Sequence, residues 1–167
     1  MAYPGSMQSE PKIAAIILCA GQGTRAGGQV AKQWQPLAGK RVIDWVITRF
    51  DQHPKIDVMV IVHPNGEGHH FTDNPSHLKY VVGGDSRSQS VCNGLAALET
   101  TAPDLVLIHD GARPCVTDEI IDVCIEHLNH HTAVAPAVAV TDTLWMGENG
   151  MVGDVVDRSA LFQAQTP

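Results

Sequence analysis

The sequence predicts an α/β domain: a mainly parallel, twisted sheet flanked by helices, with a protruding β-hairpin arm. Three observations predict it. Short continuous apolar runs at 13–18, 57–63 and 104–109 have the length and composition of strands buried on both faces. Segments with a helical apolar stripe alternate with them. Near the C-terminus this alternation gives way to two extended runs, 141–146 and 151–157, around Gly147-Glu148-Asn149-Gly150, and Asn-Gly between extended runs is a hairpin signal.

Ile13-Ala14-Ala15-Ile16-Ile17-Leu18 is the first strand and runs into the glycine-rich stretch Cys19-Ala20-Gly21-Gln22-Gly23-Thr24-Arg25. From Arg41 to Gln52, the residues Val42, Trp45, Val46, Ile47 and Phe50 make a helical stripe. The strand at 57–63 is followed by a polar loop at 64–75, and a short strand at 79–82 ends at Gly83-Gly84. A helix starts near Ser86, with Asp85 or Ser86 as its N-cap and Val91, Leu95 and Leu98 on the inward face. The strand at 104–109 carries Asp110 at its C-terminal end. Thr117 caps a helix to about His130, with Ile120, Ile121, Cys124, Ile125 and Leu128 inward, and 133–140 reads as a further strand.

With 167 residues, 44% of them hydrophobic and 17% charged, the chain suits one globular domain. Its net charge of −7 argues against non-specific nucleic-acid binding. No apolar run is long enough to span a bilayer, so no membrane role is expected. Residues 1–10 lack the features of a signal peptide, and Gly5-Ser6-Met7 reads as a cloning scar. Residues 1–10 are therefore expected to be a tag or disordered, and 11–167 to form the domain. Cys19, Cys92, Cys115 and Cys124 make no C-x-x-C pair and are expected to be buried free thiols in a reducing cytoplasm.

In parallel sheets ligands bind beyond the carboxyl ends of the strands. The residues with chemistry to offer fall there. Backbone amides of a glycine-rich loop can turn toward phosphate, and Arg25 and Lys32 could neutralise charge on a transferring phosphoryl group. The loop is not a Walker A motif. Nor is it a dinucleotide fingerprint, because Ala26 stands at the third glycine position. A bare tight turn is the simpler account of its glycines. The hydroxyl-rich turn at Gly83-Gly84-Asp85-Ser86 and Ser90 could read a nucleobase edge, or Asp85 and Ser86 could simply cap the helix. Asp110 suits Mg²⁺ and Arg113 a second phosphate, or the two could form a structural ion pair. Arg158, at the far end of the hairpin, could serve a neighbouring subunit. His69-His70 and His130-His131 have no metal-site spacing and read as surface histidines.

Taken together, Ala20-Gly21-Gln22-Gly23-Thr24-Arg25, Lys32-Gln33, Gly83-Gly84-Asp85-Ser86-Arg87, Ser90-Val91, Asn93-Gly94-Leu95, His109-Asp110-Gly111-Ala112-Arg113-Pro114, Asp142-Thr143, Asp157-Arg158 and Gln165-Thr166-Pro167 closely resemble one family, the 2-C-methyl-D-erythritol 4-phosphate cytidylyltransferases. The resemblance runs from about Ile13 to Pro167. It implies a Rossmann-like fold and a cytoplasmic, Mg²⁺-dependent transfer of CMP from CTP to methylerythritol 4-phosphate, in isoprenoid precursor synthesis by the non-mevalonate route. The attacking phosphate is already ionised, so this reaction needs no general base. The resemblance implies catalytic roles for Arg25, Lys32 and Arg158. It implies nucleotide contacts at Cys19, Ala20, Gly21, Gly23, Gly84, Asp85, Ser90 and Gly111. Asp110, Arg113, Thr143 and Thr166 fall on the alcohol-phosphate side, with Asp110 also near the metal. It further implies a homodimer formed through the 141–158 arm, with Arg158 acting in trans.

The sequence departs from the family at four places. Cys19 replaces a usual alanine, Ala31 a usual proline before the lysine, and Trp145 a common lysine after Asp-Thr. The chain is also expected to lack the family's final strand and helix, which carry another lysine. Three other functions fit parts of the pattern: a pentitol-phosphate cytidylyltransferase, a sugar-nucleotide pyrophosphorylase, and a non-catalytic nucleotide-binding or dimerisation module.

Overall fold

β1 (Ile13–Leu18) can be apolar throughout because both of its faces are covered. In the computed structural model, which describes residues 10–21, 30–71 and 75–167, Ala14 to Ile17 have no exposed surface. After β1, a single 3₁₀ turn (Lys32–Trp34) leads into a two-residue antiparallel ladder, β2 (Pro36–Leu37) with β3 (Lys40–Arg41). The ladder turns at Ala38 and Gly39, both at positive φ (47° and 86°). α1 (Val42–Asp51), β4 (Val58–His63), β5 (Leu78–Val82), α2 (Arg87–Ala96), β6 (Leu105–Asp110) and α3 (Asp118–Leu128) follow.

β1, β4, β5 and β6 make one parallel sheet in the order β5-β4-β1-β6. Side chains alternate across it. Ile13, Ala15, Ile17, Met59, Ile61 and Leu107 pack under α1 and α3, against Ile43, Val46, Phe50, Ile121 and Ile125. Ala14, Ile16, Val60 and Val62 form a smaller core on the other face, under α2 and Leu98.

Several expected details are corrected. The buried side of α2 is Ser90 and Gly94, continued by Leu98 just beyond the helix, rather than Val91 and Leu95; Leu95 is 42% exposed. A glycine is needed there because a Cβ on Gly94 would lie 2.8 Å from Ile16 Cγ2. Small residues thus let the helix sit close, a signal that an apolar-stripe search passes over. On α3, Ile121, Cys124 and Ile125 are buried as expected, but Ile120 is exposed beside Val123. The 133–140 segment forms only a three-residue strand, β7 (Ala137–Ala139). It stands outside the parallel sheet, paired antiparallel with β10 (Phe162–Ala164). Cys92 and Cys115 are exposed; only Cys19 and Cys124 are buried.

The arm is β8 (Leu144–Glu148) with β9 (Met151–Val156). Asn149 and Gly150 both take positive φ (51° and 78°), as a type I′ hairpin turn requires. Trp145, Met146, Met151, Val152 and Val155 all lie exposed along it. No helix among the described residues is long and apolar enough to cross a membrane.

Candidate functional site

Three strand ends meet at the carboxyl edge of the sheet. Main chain from β1 passes Cys19, Ala20 and Gly21, and the side chain of Gln33 holds this turn from below. Its Nε2 donates to Cys19 O (2.8 Å) and Gly21 O (2.9 Å), and the residue is buried. Sequence reasoning gave Gln33 no role beyond its place in a motif. A buried amide pointing at two loop carbonyls leaves no periodicity signal. Cys19 turns inward: its Sγ donates to Val62 O at 3.1 Å. Burial first, then the nearby charge of Glu67, push the thiol up to about 12, against a weaker downward pull from Arg41. The Cys19 backbone is tied in as well, its N–H donating to Val62 O at 2.8 Å.

The end of β5 adjoins the end of β1. A Cβ on Gly83 would lie 2.3 Å from Ala20 Cβ and 2.9 Å from Ser90 Oγ, so the Gly83 main chain packs directly on two side chains and leaves no room for one of its own. Ser90 Oγ accepts the Gly84 N–H at 3.1 Å and is buried. Ser90 therefore shapes the Gly83-Gly84 turn from beneath. Ser86, not Asp85, caps α2, accepting the Gln89 N–H at 3.0 Å. Asp85 is left exposed with its carboxylate free of that duty.

β6 ends in Asp110, and two guanidiniums reach its carboxylate: Arg87 Nη2 at 3.0 Å and Arg113 Nε at 3.2 Å. The expected alternative of an Asp110–Arg113 ion pair is thus present, and Arg87, to which the sequence assigned no role, joins it. Both arginines are substantially exposed (59% and 43%). Such pairs contribute only about 0–1 kcal/mol each, so they orient the two cations rather than hold the fold together. Gly111 N–H donates to Leu18 O at 2.8 Å, and a Cβ on Gly111 would lie 2.7 Å from Ile43 Cδ1. This close fit seats the β6 end against the β1 end.

The C-terminal segment closes the group. Thr166 Oγ1 accepts the Asp110 N–H at 3.3 Å and lies 3.2 Å from His109 Nδ1. Gln165 Oε1 accepts a hydrogen bond from Arg113 Nη1. His109 is fully buried, 5.1 Å from the Phe50 ring centre, with Nε2 3.0 Å from Arg113 O. Burial is the main cause that holds its pKa below the usual imidazole range, partly offset by the hydrogen bond to Arg113.

Cys19, Ala20, Gly21, Gly84, Ser90, Asp110, Gly111, Arg113 and Thr166 therefore fall in one neighbourhood, with Asp85 on its rim. Gly23 and Arg25 lie outside the described residues, as do residues 1–9. Lys32 is exposed at the start of the 3₁₀ turn, with Gln33 anchoring that turn to the β1 loop. Arg158 is tied to the base of the arm, its Nη1 donating to Thr141 O, and Thr143 is exposed. Among the described residues no group of three or more His, Cys, Asp or Glu side chains is arranged to hold a metal. An apolar groove of about 450 Å³ beside α3 contains none of the candidate residues.

A family model described as IspD, 2-C-methyl-D-erythritol 4-phosphate cytidylyltransferase, matches residues 13–167. A bifunctional enzyme IspD/IspF of Ruegeria sp. (strain TM1040) is 49% identical over 93% of this chain, which spans 41% of that relative. A protein of Roseobacter denitrificans, named 2-C-methyl-D-erythritol 4-phosphate cytidylyltransferase, is 46% identical over 93% of this chain and 71% of its own length. Among solved structures, the 4-diphosphocytidyl-2C-methyl-D-erythritol synthase of Anaerococcus prevotii superposes with a TM-score of 0.79 at 28% identity, covering 95% of this chain and 69% of that one. The 2-C-methyl-D-erythritol 4-phosphate cytidylyltransferase of Francisella tularensis gives 0.76 at 27% identity, over 93% of this chain and 70% of its own.

Proposed function

Since the chain belongs to the 2-C-methyl-D-erythritol 4-phosphate cytidylyltransferase family, we propose that it transfers CMP from CTP to 2-C-methyl-D-erythritol 4-phosphate. A phosphate oxygen of the alcohol attacks the α-phosphorus of CTP, the bond to the β-phosphate breaks, and CDP-methylerythritol and pyrophosphate leave. The observation that carries this reading is the convergence of the β1, β5 and β6 ends, where glycine-lined main chain and two oriented guanidiniums share one edge. The reaction asks for positioning and charge neutralisation, not for a proton abstracted from a neutral nucleophile.

In this proposal residues 11–167 form the nucleotidyltransferase domain. The backbone at Cys19, Ala20, Gly21, Gly23, Gly84 and Gly111, with Asp85 and Ser90, holds the nucleotide. Arg25 and Lys32 neutralise the charge on the pentacoordinate phosphorus. Arg113, Thr143 and Thr166 hold the alcohol phosphate, and Arg158 orients it from a second protomer. The apolar, exposed face of the β8–β9 arm supports its use as the dimer contact. The free thiols Cys19, Cys92, Cys115 and Cys124 fit work in the reducing cytoplasm.

A divalent cation suits the Asp110 carboxylate. Mg²⁺ takes one or two carboxylate oxygens and fills its shell with phosphate and water, and Asp110 offers a partly exposed carboxylate at the phosphate end of the sheet. Bound there, the ion would supply charge to the triphosphate; Arg87 and Arg113 would release part of their hold on the carboxylate and turn to phosphate oxygens.

The test is pyrophosphate release from CTP and methylerythritol 4-phosphate with Mg²⁺, in competition with ribitol 5-phosphate and with UTP in place of CTP. Turnover restricted to the first pair is expected. Preference for ribitol 5-phosphate, or CTP binding without pyrophosphate release, would refute the assignment.

A further inference from the structure

His109 is the least exposed polar side chain at the carboxyl edge of the sheet, and the proposed chemistry does not use it. Its two ring nitrogens join two segments far apart in sequence. Nε2 faces a carbonyl oxygen, that of Arg113, at 3.0 Å. A carbonyl can only accept, so Nε2 carries the hydrogen. In the neutral ring Nδ1 is then an acceptor, and the group 3.2 Å away is the Thr166 hydroxyl. The hydroxyl hydrogen therefore points at Nδ1, while the Thr166 oxygen takes the Asp110 N–H at 3.3 Å. The directions are consistent along the whole chain: Asp110 N–H to Thr166, Thr166 O–H to His109, His109 N–H to Arg113 O. The turn bearing Arg113 is fixed a second time by its own N–H, which donates to Asp110 O at 3.0 Å. The ring has no slack, since Phe50 packs against it.

We propose that His109 is a positioning residue for the alcohol-phosphate side of the site. One buried imidazole sets the spacing between the Arg113 turn and the Thr166 segment, which approach the same carboxylate end from different parts of the chain. This rests on the functional reading above, because the substrate side it organises is the one assigned there. The nucleotide side is held by other contacts: Gln33 on the β1 loop and Ser90 on the Gly83-Gly84 turn. Disturbing His109 or Thr166 should thus act on one substrate and not on the other.

The experiment is steady-state kinetics of the full chain, varying each substrate separately, for His109→Asn, His109→Gln, Thr166→Val and Thr166→Ser. Asn can keep an acceptor near the Nδ1 position and Gln a donor near the Nε2 position, so each retains one half of the bridge. Thr166→Val removes the hydroxyl on a partly exposed residue and keeps the test alive if both His109 variants fail to fold. Expected is a rise of about tenfold or more in KM for methylerythritol 4-phosphate in both His109 variants as well as in Thr166→Val, the scale of one lost hydrogen bond to a buried partner. A rise in Thr166→Val with folded His109 variants unaffected would overturn the proposal. KM for CTP should stay within about twofold, and Thr166→Ser should restore most of the loss. Equal effects on both KM values, or no rescue by serine, would overturn the proposal. ¹⁵N-histidine NMR of the ligand-free protein gives a readout that needs no turnover: His109 should be the Nε2–H tautomer. An Nδ1–H tautomer overturns the bridge whatever the kinetics. A wild-type chain that releases no pyrophosphate refutes the functional reading instead, and the tautomer then decides the bridge alone.

Discussion

The buried amide nitrogen of Gln33 lies 2.8 Å from the carbonyl oxygen of Cys19, and the same nitrogen reaches Gly21 O at 2.9 Å. Both hydrogens of one side-chain amide are spent on carbonyls of the loop that leaves β1. Lys32, the neighbouring residue, is carried on the same 3₁₀ turn. The position of a proposed catalytic cation and the shape of the nucleotide loop therefore depend on one glutamine.

Gln33→Ala should cost about 1–3 kcal/mol, because two carbonyls lose a buried donor. Urea unfolding measures that loss. CTP affinity should fall with it, by about tenfold, since the loop is no longer pinned. A variant that unfolds earlier yet binds CTP as tightly as the parent would show that the loop shape does not depend on this contact.

Gly83→Ala should abolish nucleotide binding. The new Cβ would stand 2.3 Å from Ala20 Cβ, a stub with no rotamer to escape into, so main chain must move. Overpacking of this kind costs about 1–3 kcal/mol. Isothermal titration with CTP and a thermal melt separate the binding effect from the stability effect. Gly94→Ala should destabilise by a similar amount through Ile16 while leaving CTP affinity in the folded fraction nearer the parent value.

Arg25→Ala and Lys32→Ala should each lower kcat by about a hundredfold to a thousandfold, the usual scale for losing a charge contact made in the transition state. Arg158→Ala should lower turnover while CTP affinity stays intact. Single-turnover kinetics and CTP titration decide the matter. Near-normal kcat in the first two would remove them from the mechanism, and a CTP affinity loss matching the kcat loss would move Arg158 to the other ligand.

Cys19 makes a pH prediction. Its folded thiol titrates at about 12, against 9.0 for an ordinary one. The folded state therefore holds this proton more tightly than the unfolded state does. The resulting stability is fully present below about pH 9 and is lost as pH rises toward 12. Replacing Cys19 by alanine should flatten the decline in unfolding free energy between pH 8 and pH 10.5. A parallel decline in both proteins would show that the thiol does not couple to folding. At pH 8 an alkylating reagent should modify Cys92 and Cys115 well before Cys19 and Cys124.

The sequence shows most clearly what comes from continuous burial and from turn chemistry. β1 and β4 are legible as apolar runs because the inner strands of a parallel sheet covered on both faces ask little that is polar of them; β6 shows the same apolar start, although as an edge strand it buries only Leu107 and His109. The arm was legible because only residues tolerant of positive φ suit its turn. The α2 face was misread because Gly94 and Ser90 make it by being small, while Leu95 faces out. The short β7 strand was overestimated because its apolar residues, Val138 among them, lie exposed beside β10 rather than in the sheet. At the site, glycines and charged residues announced themselves by type. Gln33 and His109 did not, since their importance lies in what they reach across the fold, and spacing along the chain carries no trace of that.

The strand order has a consequence for how the protein is made. β1 is synthesised before either of its partners: Ile13 pairs with Leu105 and Leu18 with Asp110. On its other side Ala14 waits for Val58. Until residues 105–110 are made, the most apolar strand therefore keeps an open edge, able to pair with whatever strand it meets. Long-range closure of this kind slows folding and lengthens exposure to aggregation. The last residues of β6 do double duty: they close the open edge of β1 and deliver Asp110 to the proposed phosphate-handling edge.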